Sequence, residues 1–258
     1  MPPLFILRLH GDRVLSVSTP ANATLAPRSS SAARELALLA ATAPEDACIA
    51  WFDERLEPFL SDPAGWPDLL RNPLELLHLS CFQRCDRMVG SLGLVDFYSC
   101  FLLPGPTDRR YATWLVSPMA GIAKASLFRA GGFDGTRRSW TLALFDFGYR
   151  AMRHGLLPYS EPKLLRESIW PSVQEELERP LSPGQVAMLI RRMLGRKWVL
   201  FWLAAEAIYH QRFRGRAATH ALLARPPPKA DLAAFRRLHD ATGHQSTPTP
   251  SFSEPGTK

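Results

Sequence analysis

Residues 127–134 read LFRAGGFD and residues 145–155 read FDFGYRAMRHG, and these two stretches decide how the chain is read. The first closes a run of helix formers with Gly131 and Gly132, a residue type that enters positive φ without steric cost. A turn explains the glycines. It does not explain the second stretch, where Asp146 and Arg150 stand at helical i, i+4 spacing beside Leu142, Phe145, Tyr149 and Met152, with Gly155 at the end. The spacing predicts a short helix over KASLFRAGG (124–132) and a longer one over WTLALFDFGYRAMRHG (140–155). LLPYSEP (156–162) then reads as an edge strand broken by prolines.

Outward toward the start, RVLSVSTPAN (13–22) has the β-branched content of a short strand ending in a turn. SSSAARELALLAATAPEDA (29–47) opens with serines fit to cap a helix and stops at Pro44. ACIAWFDERLEP (47–58) reads as a buried strand that ends in acids, and PDLLRNPLELLHLSCF (67–82) as one or two helical pieces behind it. Residues 89–103 and 111–123 are apolar enough for further strands. Strand, helix, strand is the grammar of an α/β sheet flanked by helices.

At 258 residues, 46% of them apolar and 21% charged, the chain has ordinary globular composition and room for one main domain with an appendage. The net charge of +7, from 31 basic and 24 acidic residues, favours anionic partners. No helix-turn-helix, zinc or stacking signature accompanies it, so nucleic acid is not the expected partner. Cys81 and Cys85 lack a companion pair, so the four cysteines read as buried thiols rather than a zinc site. His78, His154 and His210 have no ligand spacing and read as solvent-facing or satisfied. The opening MPPLFILRLHGDR lacks the features of a secretory signal, and the expectation is a cytoplasmic protein, with contact at the inner face of a membrane left open.

In order, these segments resemble the acceptor-side half of family 2 glycosyltransferases with the GT-A fold. That family carries an R..F...GGFDE segment, an ED.D...R....G helix and a Y..P.A strand; Gly131, Gly132, Phe133 and Asp134 match the first, and Asp146, Arg150, Gly155 and Pro162 the later ones. Upstream, Asn22 and Arg28 stand where the family has its N.G.a.aRN.g...a helix, and AWFDERLEP (50–58) resembles its flDdD..p strand end. The resemblance covers about residues 15 to 170. It implies a partial GT-A-like mixed sheet over 1–180, with sugar transferred from a nucleotide-sugar donor to a carbohydrate or lipid-linked acceptor. It further implies Asp53, with Glu54, holding Mg²⁺ or Mn²⁺ against the donor diphosphate, and Asn22, Arg28, Asp53, Arg55 and Ser117 contacting the donor.

Three departures shape that expectation. Arg55 occupies the place of a second metal-binding acid, where a guanidinium would pair with the diphosphate directly and make a metal dispensable. At the family's paired acids the chain reads Ala143-Leu144, so base catalysis would fall to Asp146 with Arg150 orienting it. The family's first strand, helix and strand, which grip the base, have no recognised counterpart, so the chain reads as a fragment, as the product of a late start, or as half of a split protein whose other half is separate. The rival reading is a non-catalytic GT-A-like scaffold or membrane-surface subunit. Each residue also has a plain role: Asp53 capping a turn, Asp146 and Arg150 a surface ion pair worth a few tenths of a kcal/mol, Asn22 and Arg28 turn and helix-start residues, Ser117 a packed core position.

Residues 181–225 read as basic amphipathic helices. An apolar stretch from Trp198 to Ala205 is flanked by Arg191, Arg192, Arg196 and Lys197 before it and by Arg212, Arg214 and Arg216 after it. That pattern suits a helix lying in a lipid interface through 191–216, or one packed on the sheet or in a homo-oligomer. Residues 226–258 read as one further helix, ADLAAFRRLHDA (230–241), and a disordered tail.

Overall fold

An alternating run, LFILRLH, followed by Gly-Asp is a hairpin signal. In the computed structural model, which describes residues 2–21, 23–79, 110–137, 139–166, 181–209, 211, 214–223 and 229–241, it forms one. Strand β1 (Leu4–His10) turns through Gly11 and Asp12 into antiparallel β2 (Arg13–Ser18), and the two-residue β3 (Thr24–Leu25) follows. Helix α1 (Ala32–Thr42) then carries the chain across to β4 (Cys48–Asp53), which pairs parallel with β1.

Beyond β4 the sheet continues through β5 (Glu75–His78), β6 (Tyr111–Ala112), β7 (Ala120–Lys124) and β8 (Leu157–Ser160) in the order β3-β2-β1-β4-β7-β5-β8-β6. Strands β1, β4, β5 and β8 share one direction, and β7 runs against both of its neighbours. This is an α/β protein with an eight-stranded mixed sheet. Helices α2 (Ala125–Ala130) and α3 (Trp140–Met152) precede β8, and α4 (Pro183–Met193), α5 (Arg196–Tyr209), α6 (Gly215–Leu223) and α7 (Leu232–Asp240) follow it.

All six residues of β4 are buried, because both faces of the sheet are covered and a strand so placed reads as a continuous apolar run. Cys48, Ala50 and Phe52 face one core, shared with Trp66, Phe145 and helices α4 to α6. Ile49 and Trp51 face the other, shared with α1, Phe128, Trp140 and Phe147. Helix α3 serves both, sending Leu142 and Phe145 to the first core and Trp140, Leu144 and Phe147 to the second.

Several expectations are corrected. PDLLRNPLELLH forms no α-helix behind β4, and its second half is a strand. Residues Pro63–Leu69 form a 3-10 turn and Glu75–His78 a strand, because Pro67 and Pro73 interrupt a helix and β7 and β8 offer partners on both sides. LLPYSEP is not an edge strand: β6 pairs on its outer side, and Pro158 uses its carbonyl to accept from Thr113 N–H at 3.0 Å. Residues 111–123 supply two short strands rather than one, and β1 had no counterpart in the sequence reading. The expected strand at 89–103, together with Cys81, Cys85, Cys100 and His210, lies outside the described residues.

Trp51 is fully buried, meets Phe128 and Trp140 edge-on at centroid distances of 6.1 and 5.9 Å, and donates its indole N–H to Ser117 O. Its removal opens a cavity that the sheet cannot close. Trp51→Ala is expected to lower stability by about 3–5 kcal/mol, read as a shifted denaturant midpoint at unchanged slope.

Candidate functional site

In an open sheet of this kind ligands bind outside the carboxyl ends of the parallel strands, where successive connections leave in opposite directions. Here that place lies between β1 and β4, since the chain leaves β1 toward β2 and β3 and returns through α1 to β4. Gly11 and Asp12 stand at the end of β1 and Asp53 at the end of β4. They open on a cleft of about 210 Å³ that Arg55, Ser139, Thr141 and Gln185 also line.

Asp53 is committed to protein donors. Arg55 places its guanidinium fork on the carboxylate, Nε to Oδ1 and Nη2 to Oδ2 at 2.7 Å each, and Gly11 N–H donates to Oδ2 at 2.9 Å. Burial opposes ionisation of Asp53, but the hydrogen bonds from Arg55 and Gly11 outweigh it and hold the carboxyl below the usual range. Asp12 accepts Trp140 N–H at 2.7 Å through Oδ1 and, through its backbone carbonyl, Ala32 N–H at 3.0 Å. The hairpin turn thereby fixes the first turns of both α3 and α1 at the rim.

A second assembly joins the LFRAGGFD (127–134) and FDFGYRAMRHG (145–155) stretches. Gly131 closes α2 against the ring of Phe147, and Gly132 has φ +61 with Lys229 O only 2.7 Å from where a Cβ would stand, so neither position has room for a side chain. Arg150 donates to both glycine carbonyls at 3.1 Å and to Asp146 Oδ2 at 3.2 Å. Arg192 of α4, 3% exposed, donates to Asp146 Oδ2 through Nη1 and to Asp134 Oδ2 at 2.9 Å through Nη2. Arg137 and Thr136 complete the shell of Asp134.

The two acids of this network respond differently. Burial pushes the Asp146 carboxyl up to about 6 against the pull of Arg150. Burial also opposes ionisation of Asp134, but hydrogen bonds from Thr136 and the charge of Arg137 bring it below the usual range. One oxygen of Asp146, Oδ1, is buried with no hydrogen-bond partner among the described residues.

The remaining sequence-predicted residues are dispersed. Asp146 and Arg150 do not line the β1/β4 cleft; the first turn of α3 does, about 7.5 Å earlier along the axis from Thr141 to Asp146. Arg28 pairs with Glu35 at 3.4 Å and reaches Thr42. Ser117 is fully buried, its Oγ accepting Met119 N–H and its N–H directed at Nδ1 of His78. His78 itself is a core residue, pushed down to about 3 by burial and therefore neutral. Asn22 lies outside the described residues.

A dication does not fit this donor set. Glu54 turns away from Asp53 toward His10 Nδ1 at 2.8 Å and Arg8, while both Asp53 oxygens carry the Arg55 fork. Among the described residues no three His, Cys, Asp or Glu side chains converge. Asp12 and Gln185 were not singled out in the sequence, and Arg192 appeared there only as part of the basic flank of α5; the Gly-Asp pair at 11–12 was the local signal of Asp12. No protein-family model matches the chain, and a search of curated proteins finds no match either.

The network sets a pH dependence. Asp134, depressed below its ordinary 3.8, contributes stability that is present above about pH 4 and lost as the pH falls through its folded value. Asp146, raised to about 6, works in the opposite sense, and its contribution is lost as pH rises between about 4 and 6. Arg192→Leu is expected to cost about 3–5 kcal/mol at pH 7 by leaving two buried carboxylates short of a partner. Asp146→Asn is expected to flatten the stability profile between about pH 4 and 6; denaturant midpoints at each pH read both.

Proposed function

We propose that the chain is a GT-A-like glycosyltransferase domain that binds a nucleotide sugar at the β1/β4 cleft and passes the sugar to a carbohydrate or lipid-linked acceptor. The observation that carries this reading is spatial. The GGFD stretch and the helix bearing Asp146 and Arg150 were matched to that family as separate motifs, and they meet through Arg150 on the carbonyls of Gly131 and Gly132.

In this reading Arg55, anchored on Asp53 through Nε and Nη2 and 28% exposed, presents its positive charge to the donor diphosphate in place of a metal ion. Asp12, at the rim beside Ser139 and Thr141, takes the role of base toward the acceptor hydroxyl, since Asp146 is enclosed by Arg150 and Arg192. The reaction would break the bond from the anomeric carbon to the diphosphate oxygen, form one to the acceptor oxygen, and leave the acceptor proton on the carboxylate.

One observation favours a second reading, a non-catalytic scaffold that retains the sheet. The positions of the family's paired acids, Ala143 and Leu144, are fully buried core residues, and the nearest acid on α3 is tied up in ion pairs. Calorimetric titration of the pure full chain with UDP- and GDP-sugars, followed by a transfer or hydrolysis assay, separates the readings. Donor binding that survives EDTA and weakens at least about tenfold in Arg55→Leu is expected. A loss of turnover on the order of 10²-fold in Asp12→Asn, with binding kept, is expected for a base. No binding at millimolar donor overturns the transferase reading and favours the scaffold, as does binding without turnover.

A further inference from the structure

Helix α5 is apolar on two sides. Val199 and Trp202 are buried in the core, and Glu206, 1% exposed, is turned inward beside them where Arg214 reaches it. The opposite side carries Phe201 and Ile208, 52 and 70% exposed, with Trp198 and Leu200, 43 and 55% exposed, on its two flanks. Phe201, Ala204 and Ile208 follow Lys197 at helical spacing along the centre of that outward face, and Trp198 packs edge-on against Phe201 at 5.7 Å. A surface helix ordinarily shows water its polar side. Phe201 and Ile208 on the outward face, flanked by Trp198 and Leu200, mark an interaction surface.

Its charge says what that surface meets. Among the described charged side chains of α5 and α6 the one acid, Glu206, faces the core. Arg196 and Lys197 are exposed at the first turn of α5, and Arg216 is exposed on α6. A second copy of the same face would bring like charges together, which disfavours self-association. Aliphatic side chains such as Leu200 and Ile208 gain nothing from a phosphate backbone. An apolar layer beneath an anionic surface satisfies both features at once, and that is the interface of an anionic lipid bilayer.

We infer that α5 docks on anionic membranes, lying in the plane of the interface with Trp198, Phe201 and Ile208 among the acyl chains and Arg196 and Lys197 among the headgroups. Its 14 residues span about 21 Å, too short to cross a hydrocarbon core of about 30 Å, and among the described residues no helix is long and apolar enough to do so. No residue of α5 lines the β1/β4 cleft, so membrane docking and nucleotide-sugar binding can fail separately.

The test is co-sedimentation of the full chain with vesicles of phosphatidylcholine alone and with vesicles that also contain phosphatidylserine, an anionic lipid of cytoplasmic leaflets. Binding to the anionic vesicles is expected, falling at least about tenfold in the triple variant Trp198→Ser, Phe201→Ser, Ile208→Ser, and about fivefold for each of Arg196→Gln and Lys197→Gln. Because these side chains are exposed, thermal melts of the variants should match the parent. Sedimentation unchanged by the triple variant overturns the inference. So does the absence of vesicle binding together with a concentration-dependent dimer that the same substitutions abolish.

Discussion

A single guanidinium bridges two buried carboxylates at the junction of three elements. Arg192 on α4 reaches Asp134, just past the double glycine, and Asp146 on α3, while Arg150 ties Asp146 back to the glycine carbonyls. Burying such charges is costly, and their mutual attraction recovers the cost only when every partner is present. The network therefore acts as a register device, admitting one rotation of α3 and one seat for α4. That rotation puts Trp140 under the hairpin turn and Ser139 and Thr141 at the rim of the β1/β4 cleft.

The parts legible in the sequence are those with local signals. β4 announces itself as an apolar run ending in acids, α1 by its serines and Pro44, and α2 and α3 by helix formers punctuated with glycine. β5 was illegible because LELLH favours helix intrinsically and becomes a strand only through β7 and β8. The site divides in the same way. Asp53 and Arg55 are neighbours in sequence and in space. Asp146 was recognisable as an acid on a helix, but whether it faced the cleft depended on Arg192, forty-six positions away. Asp12 was missed because its partner Trp140 is 128 positions distant.

The resemblance to family 2 glycosyltransferases and the geometry bear on different residues. Motif matching placed catalysis on α3, whereas the open cleft lies one and a half turns earlier, between the ends of β1 and β4. The network that Asp146 joins is then the support of the cleft rather than its floor. The apolar outward face of α5 is separate again, and on the lipid-docking proposal it would hold the domain where lipid-linked acceptors reside.

Hydrogen exchange with and without nucleotide sugar tests the central claim most directly, since it locates the ligand instead of merely detecting it. The account predicts slowed exchange confined to the amides at 11–12, 53–55 and 139–142. Protection absent from these segments while the ligand binds elsewhere would contradict it.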